Sequence, residues 1–252
     1  MKILLASAPV IDREQEFNLQ TILEYMKTYR GRAELIVFGE AVLQGFDCLC
    51  WNYEEDQAVA ATLTDAPIVK LRAAAKTYHM AVSFGMIERR DGSLYSAQLF
   101  IGADGEIVNV FHRVSPGWKA FSQTDEHYRE GARFEKFSYH GKTFAVGLCG
   151  DLWTEGRPEE MKALNADVVL WPVWCDYTPA EWNGTSNRNT PGKPLDAAKT
   201  CFWSIPSAPV SKTRRAPPGP ASIFGTESSF RSIPPESRES CLSSSDPLFS
   251  IP

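Results

Sequence analysis

Positive charge is in deficit in this 252-residue chain. It carries 26 Lys and Arg against 31 Asp and Glu, a formal net charge of −5. That balance speaks against a nucleic-acid partner. Long hydrophobic runs are also missing: nothing approaches the roughly 20 apolar residues of a membrane span, so no membrane partner is expected. The start, Met1-Lys-Ile-Leu-Leu-Ala-Ser-Ala8, imitates a leader only faintly. Its apolar run is shorter than the roughly 7–15 residues of an h-region, and a first β-strand is the expectation. There is no glycine-rich phosphate loop of the Walker or dinucleotide type. The four histidines, His79, His112, His127 and His140, show no metal-ligand spacing, so neither metal nor cofactor is expected. Six cysteines form no compact framework, which suggests a reducing, cytoplasmic setting. Cys48 and Cys50 are not in Cys-x-x-Cys spacing; they and Cys175 read as small core or loop residues.

What is there reads as an α/β chain. Lys2–Val10 and Glu34–Gly39 are predicted strands, with an amphipathic helix over Glu14–Arg30 between them. A second helix is predicted over Ala66–His79. Strand-like runs follow at Met80–Glu88, Ser93–Ile101 and Glu106–Phe111, separated by the turn signals Arg90-Asp-Gly92 and Ala103-Asp-Gly105. Arg133–Tyr139 and Thr143–Leu148 pair through His140-Gly141. A helix at Arg157–Asn165 and a strand at Ala166–Val173 complete a mixed sheet with helices against it. From about Ser186 the periodicity stops. Residues 187–252 hold eleven of the 17 prolines, with runs such as Pro217-Pro-Gly-Pro220 and Ser243-Ser-Ser245. The expected division is therefore a domain over 1–185 and a Ser/Pro-rich, disordered tail over 186–252.

Chemistry concentrates at strand ends. Cys149 closes an apolar run, Phe144-Ala-Val-Gly-Leu-Cys-Gly-Asp-Leu-Trp153. A thiol needs a base or a positive neighbour to act as a nucleophile. Gly150 allows close backbone approach, and the amide after a nucleophile suits an oxyanion hole. Asp151 reads as a cap of the next segment. Upstream, Leu35-Ile-Val-Phe-Gly-Glu40 ends in a carboxylate, which can serve Cys149 as general base. Lys119, in Arg113-Val-Ser-Pro-Gly-Trp-Lys119, sits between Trp118 and Phe121, which can bury its stem and aim its ammonium at an oxyanion. Glu126 and Glu130 follow; either can orient Lys119, and Glu130 reads more as a solvated face. Trp118, Trp153 and Trp174 are candidate pocket residues, with core roles open for each. A Cys–His pair also remains open, because such partners need not be close in sequence.

Taken together, these motifs resemble the nitrilase, or carbon–nitrogen hydrolase, superfamily. Its glutamate motif is matched by Val37-Phe-Gly-Glu-Ala-Val-Leu-Gln-Gly-Phe46 and its cysteine motif by Gly147-Leu-Cys-Gly-Asp-Leu-Trp153. The order Glu, Lys, Cys agrees, and the resemblance covers roughly residues 1–185. It implies a four-layer α-β-β-α sandwich, metal-free hydrolysis of amides, carbamoyl compounds or nitriles by water through a thioester, and pairing into homodimers. It assigns Glu40 as base, Cys149 as nucleophile, and Lys119 with the Gly150 amide as oxyanion holders. An amidase acting on small molecules is the expected function. The alternative is a catalytically impaired relic or interaction protein with the same body.

Two departures stand out. The family's lysine usually ends a Tyr-Arg-Lys-like triplet directly after a strand; here that place reads Phe111-His-Arg113. Lys119 is the expected substitute and Arg113 the second candidate. The family's fold also continues past the strand at Ala166–Val173 with a further helix and strands, where this chain has its Ser/Pro-rich segment. The sandwich is therefore expected to be incomplete at the C-terminus. One explanation is a reading-frame shift near Thr185–Asn187; the other is a native tail. Back-translated and read two bases on, Asn187–Ser207 permits a Tyr-Ala-rich helix and then Leu-Leu-Val-Asn-Ser-Phe-Cys. Coding sequences of close relatives are then expected to keep the helix-then-strand frame through this region. An uninterrupted frame encoding the same tail in all of them overturns the expectation.

Overall fold

The computed structural model describes residues 1–174 and two short strands, 201–204 and 248–250. Cys175 and, apart from those two strands, the expected tail lie outside the described residues.

In chain order the elements are β1 (Lys2–Leu5), α1 (Gln15–Tyr29), β2 (Leu35–Val37), α2 (Tyr53–Val59), α3 (Ala66–Tyr78), β3 (Ala81–Arg90), β4 (Ser93–Ile101), β5 (Ile107–His112), β6 (Lys136–Tyr139), β7 (Lys142–Val146), a 3₁₀ turn (Cys149–Trp153), α4 (Arg157–Ala163), β8 (Val168–Pro172), β9 (Cys201–Ser204) and β10 (Leu248–Ser250). They form a six-stranded sheet, β10-β1-β2-β3-β4-β5, and a four-stranded sheet, β6-β7-β8-β9. β1, β2 and β3 run parallel, and β3, β4 and β5 form an antiparallel meander. In the second sheet β6 is antiparallel to β7, while β7, β8 and β9 are parallel. This is the expected four-layer α-β-β-α sandwich.

Alternation along the strands builds the layers. Ile3, Leu5, Leu35, Val37 and Phe100 join Phe144, Val146, Val168 and Leu170 in the core between the sheets. Their neighbours Leu4, Ile36, Val82, Leu99 and Ile101 face the other way, against Leu19, Ile22 and Met26 of α1 and Ile68, Leu71 and Ala75 of α3. Side chains at i and i+2 share one face of a strand. A parallel strand covered on both faces therefore reads as an unbroken apolar run, which is what made β1 and β2 legible. On the far side, α4 buries Met161, in the same hydrophobic cluster as the second sheet's strands. No helix among the described residues is long and apolar enough to cross a membrane.

Turn chemistry sets the hairpins. Asp91 and Gly92 have φ of 50° and 73°, and His140 and Gly141 have 48° and 74°. Consecutive positive φ values of this kind match the right-handed twist of the flanking strands. One element had no periodic signal. α2 is a short polar helix whose Asn52 side chain caps the Glu54 N–H at 3.1 Å, and its place is fixed by Asp56. That carboxylate is fully buried and accepts from the Cys50 and Trp51 amides and the Tyr128 hydroxyl at 2.8–2.9 Å.

Phe144 meets Phe137 and Tyr139 of its own sheet at 5.6 and 6.5 Å and reaches Phe100 of the other sheet at 5.7 Å. Phe144→Ala is expected to destabilise the chain by about 3–5 kcal/mol, read as a lower urea midpoint at unchanged slope. A loss below about 1 kcal/mol, as at a surface position, contradicts this packing.

Candidate active site

Glu40, Arg113 and Cys149 each stand just beyond the C-terminal end of a strand: β2, β5 and β7 respectively. After β2 the chain stays hydrogen-bonded to β3, through Phe38 N–H to Ser83 O and Gly85 N–H to Gly39 O, and then turns at Ala41, φ 50°. A Cβ on Gly85 would lie 2.2 Å from Ala41 N and 2.6 Å from Glu40 Cα, so a bare backbone at 85 is what lets this turn approach β3. The Gln44 amide locks the turn by donating to Ile87 O at 3.1 Å and accepting from Ile87 N–H at 3.0 Å.

The Glu40 carboxylate that results is 1% exposed. Its Oε1 accepts from Arg113 Nη1 at 2.8 Å and from Ser96 Oγ at 3.3 Å. Its Oε2 is buried without a hydrogen-bond partner among the described residues, which leaves one oxygen uncommitted. Arg113 is 4% exposed and gives its Nε–H to Ser115 Oγ at 2.9 Å. Burial would lower its pKa, but the negative fields of Glu40, Cys149 and Asp151 outweigh that and raise it.

Cys149 begins the 3₁₀ turn with φ 45°. A non-glycine residue held there is strained, and three groups hold it. Trp171 Nε1–H donates to Cys149 O at 2.9 Å. The thiol points to Trp174 O at 3.7 Å. Asp151, fully buried, accepts from the Leu148 amide at 2.8 Å and from the Val114 and Ser115 amides at 3.0 and 2.7 Å. Asp151 is thus more than a cap: it ties the nucleophile turn to the Arg113 loop. Burial pushes its pKa up to about 6 against the pull of those N–H groups and Arg113. Burial, and then Glu40, also push the Cys149 thiol up, while Arg113 opposes them.

The remaining sequence candidates sit elsewhere. Lys119 donates to Tyr128 O at 2.6 Å and pairs with Glu130 at 2.8 Å. It bonds neither Glu40 nor Cys149; Arg113 stands in the place expected of it. The reason is the short path from β5, pinned by Arg113 N–H to Ser96 O and Gly131 N–H to Arg113 O. Glu130, not Glu126, is the carboxylate that engages Lys119, and Glu126 is exposed. Trp118 is buried in a cluster with Cys48 and Tyr128, and Trp153 packs edge-on to Trp171 at 5.4 Å. Trp174 is at the site, its ring stacked on Phe46 at 5.3 Å. Phe46 was missed as a site residue although it ends the glutamate motif. None of the histidines contacts Cys149. His112 pairs with Glu88 and His127 with Asp125, His79 ends α3, and His140 stacks on Tyr139.

A carboxylate with one committed and one open oxygen, a clamped guanidinium and a thiol on a strained backbone have the chemistry that nucleophilic acyl transfer needs. The family model for carbon-nitrogen hydrolases matches residues 6–190. The chain belongs to the carbon-nitrogen hydrolase family. Among characterised members it is similar to a citrullinase of Francisella tularensis subsp. tularensis, 27% identical over 181 residues, which are 71% of this chain and 63% of that protein. It is also similar to an (R)-stereoselective amidase of Pseudomonas sp., 25% identical over 170 residues, 68% of this chain and 59% of the amidase. The chain thus spans less than two thirds of either curated relative. In fold it is similar to a cysteine-to-alanine mutant of the Nesterenkonia AN1 amidase from the nitrilase superfamily, with TM-score 0.64 at 16% identity, covering 89% of this chain and 82% of that one.

Because its thiol is pushed above the ordinary value of 9.0, Cys149 is expected to react with iodoacetamide at a rate still rising above pH 9. Glu40→Gln removes the negative field and leaves Arg113 less opposed, so it should move the profile to lower pH. Peptide mapping separates Cys149 from the other cysteines. A plateau reached below about pH 7 in the unmodified chain contradicts the raised pKa.

Proposed function

We propose that this carbon-nitrogen hydrolase is an amidase that works through a cysteine thioester, with a small-molecule amide and water as its reactants. The observation that carries the reading is the buried meeting of Glu40, Arg113 and Cys149, with Glu40 Oε2 left without a partner. In the first half-reaction Glu40 takes the thiol proton as Sγ bonds the carbonyl carbon. The carbonyl π electrons move to oxygen, where the Gly150 amide and the Arg113 guanidinium hold the negative charge. The oxyanion collapses, the C–N bond breaks, and the proton on Glu40 passes to the departing nitrogen. In the second half-reaction Glu40 deprotonates water, which attacks the thioester. The C–S bond breaks, the acid leaves, and the proton returns to Cys149.

Starting from a neutral thiol suits this sequence. Proton transfer to Glu40 then accompanies C–S bond formation, so charge appears where substrate has already displaced solvent. An amide substrate is supported by the longer match to an amidase, 170 residues, against 110 and 93 residues for the two nitrilases the chain also resembles.

Ammonia or amine release from a panel of small amides tests the proposal. Cys149→Ala is expected to reduce release to background and Glu40→Gln to lower kcat by about 10²–10⁴-fold. A folded chain that hydrolyses no amide overturns the amidase reading; turnover of nitriles alone moves the substrate to that class, and turnover of neither favours the impaired relic.

A further inference from the structure

Arg113 is fixed by its neighbours more tightly than a surface arginine ever is. Its Nη1–H goes to Glu40 and its Nε–H to Ser115, both within 2.9 Å, and its side chain is 4% exposed. These bonds set the plane of the guanidinium and so place the third nitrogen. Nη2 lies over Gly150: a Cβ built there would stand 2.4 Å from Nη2, 3.4 Å from Cζ and 3.5 Å from Ser115 Oγ. Carbon and nitrogen do not approach that closely without a bond. Ordinarily the far end of a flexible side chain would swing aside, but this one cannot do so without breaking its bond to Glu40 or to Ser115. Gly150 is not among the glycines with positive φ, so its backbone conformation does not by itself call for glycine. Steric exclusion by Arg113 is what requires glycine at 150.

We propose that Arg113 and Gly150 are a coupled pair, in which a residue without a Cβ at 150 admits a guanidinium where the family carries a lysine ammonium. Arg113 is then the residue that clamps the base Glu40 and faces the nucleophile, and Gly150 is its positioning residue. This rests on the reading of Glu40 and Cys149 as base and nucleophile. A lysine at 113 has one terminal nitrogen and no fork. It can reach Glu40 but leaves the volume above residue 150 open, so an alanine fits beneath it. Gly150→Ala should therefore be harmful beside arginine and tolerated beside lysine.

The test is a four-member cycle: the full chain, Gly150→Ala, Arg113→Lys, and both together. The first readout is the iodoacetamide labelling rate of Cys149 at one fixed pH, which needs no turnover. Pushing the cation away from the thiol lowers its thiolate fraction. Gly150→Ala is expected to slow labelling about tenfold or more beside Arg113, and less than about twofold beside lysine, a coupling within the range of contacting residues. The same ordering is expected in kcat for an amide. Equal factors in both backgrounds overturn the pairing. If Gly150→Ala fails to fold, the double variant decides: a folded, labelled double variant supports the pair, and an unfolded one overturns it. Failure of the amidase reading shows separately, as absence of amide hydrolysis in the full chain.

Discussion

The buried ion pair between Glu40 and Arg113 constrains the whole catalytic half of this molecule. Two charges that are 1% and 4% exposed are tolerable only with good geometry and further hydrogen bonds. Ser96 and Ser115 supply some of these, and the chain positions the rest. Glu40 arrives from β2, Arg113 from β5, and both lie against the turn after β7. Removing either partner leaves an uncompensated charge in the interior, a loss of about 3–5 kcal/mol. The pair therefore fixes the relative placement of segments that are more than 70 residues apart. The glycines at 85 and 150 follow from the same constraint: one lets the base turn lie against β3, the other gives the guanidinium its room.

Much of this was legible in the residues, for identifiable reasons. Glu40 and Cys149 each end an apolar run; either alone reads as readily as a structural residue or a strand terminus, and it is the two motifs in order that pointed to one site. A mixed sheet with helices against it followed from apolar strands beside amphipathic helices, and the four layers followed from the family resemblance. The choice between Lys119 and Arg113 was not legible, because it turns on the path of a loop. That path is set by Ser96, Gly131 and Asp151, each far from it in sequence. α2 was missed for a related reason: its anchor is a buried carboxylate, Asp56, and polar anchoring leaves no periodic trace. Phe46 and Trp174 are far apart in sequence, and only folding brings their rings together.

Asp151 shows how a residue can be read too modestly from sequence. Its neighbours suggest a helix cap, and it does accept the Leu148 amide. Its other oxygen takes two amides from the Arg113 loop. The nucleophile turn and the cation loop thereby become one hydrogen-bonded unit. A displacement of either carries the other with it, which keeps thiol and guanidinium in register while β5 and β7 belong to different sheets.

The burial of Cys149 bears on the life of the protein between encounters with substrate. Peroxides and other electrophiles attack thiolates far faster than thiols, and oxidation past the sulfenic stage is largely irreversible. A nucleophile held neutral by its surroundings is a poor target for them. On the proposed mechanism its reactivity is released when a bound carbonyl displaces solvent and Glu40 takes the thiol proton. The same desolvation that makes the resting thiol sluggish thus acts as chemical preservation, sparing a side chain that the protein cannot replace.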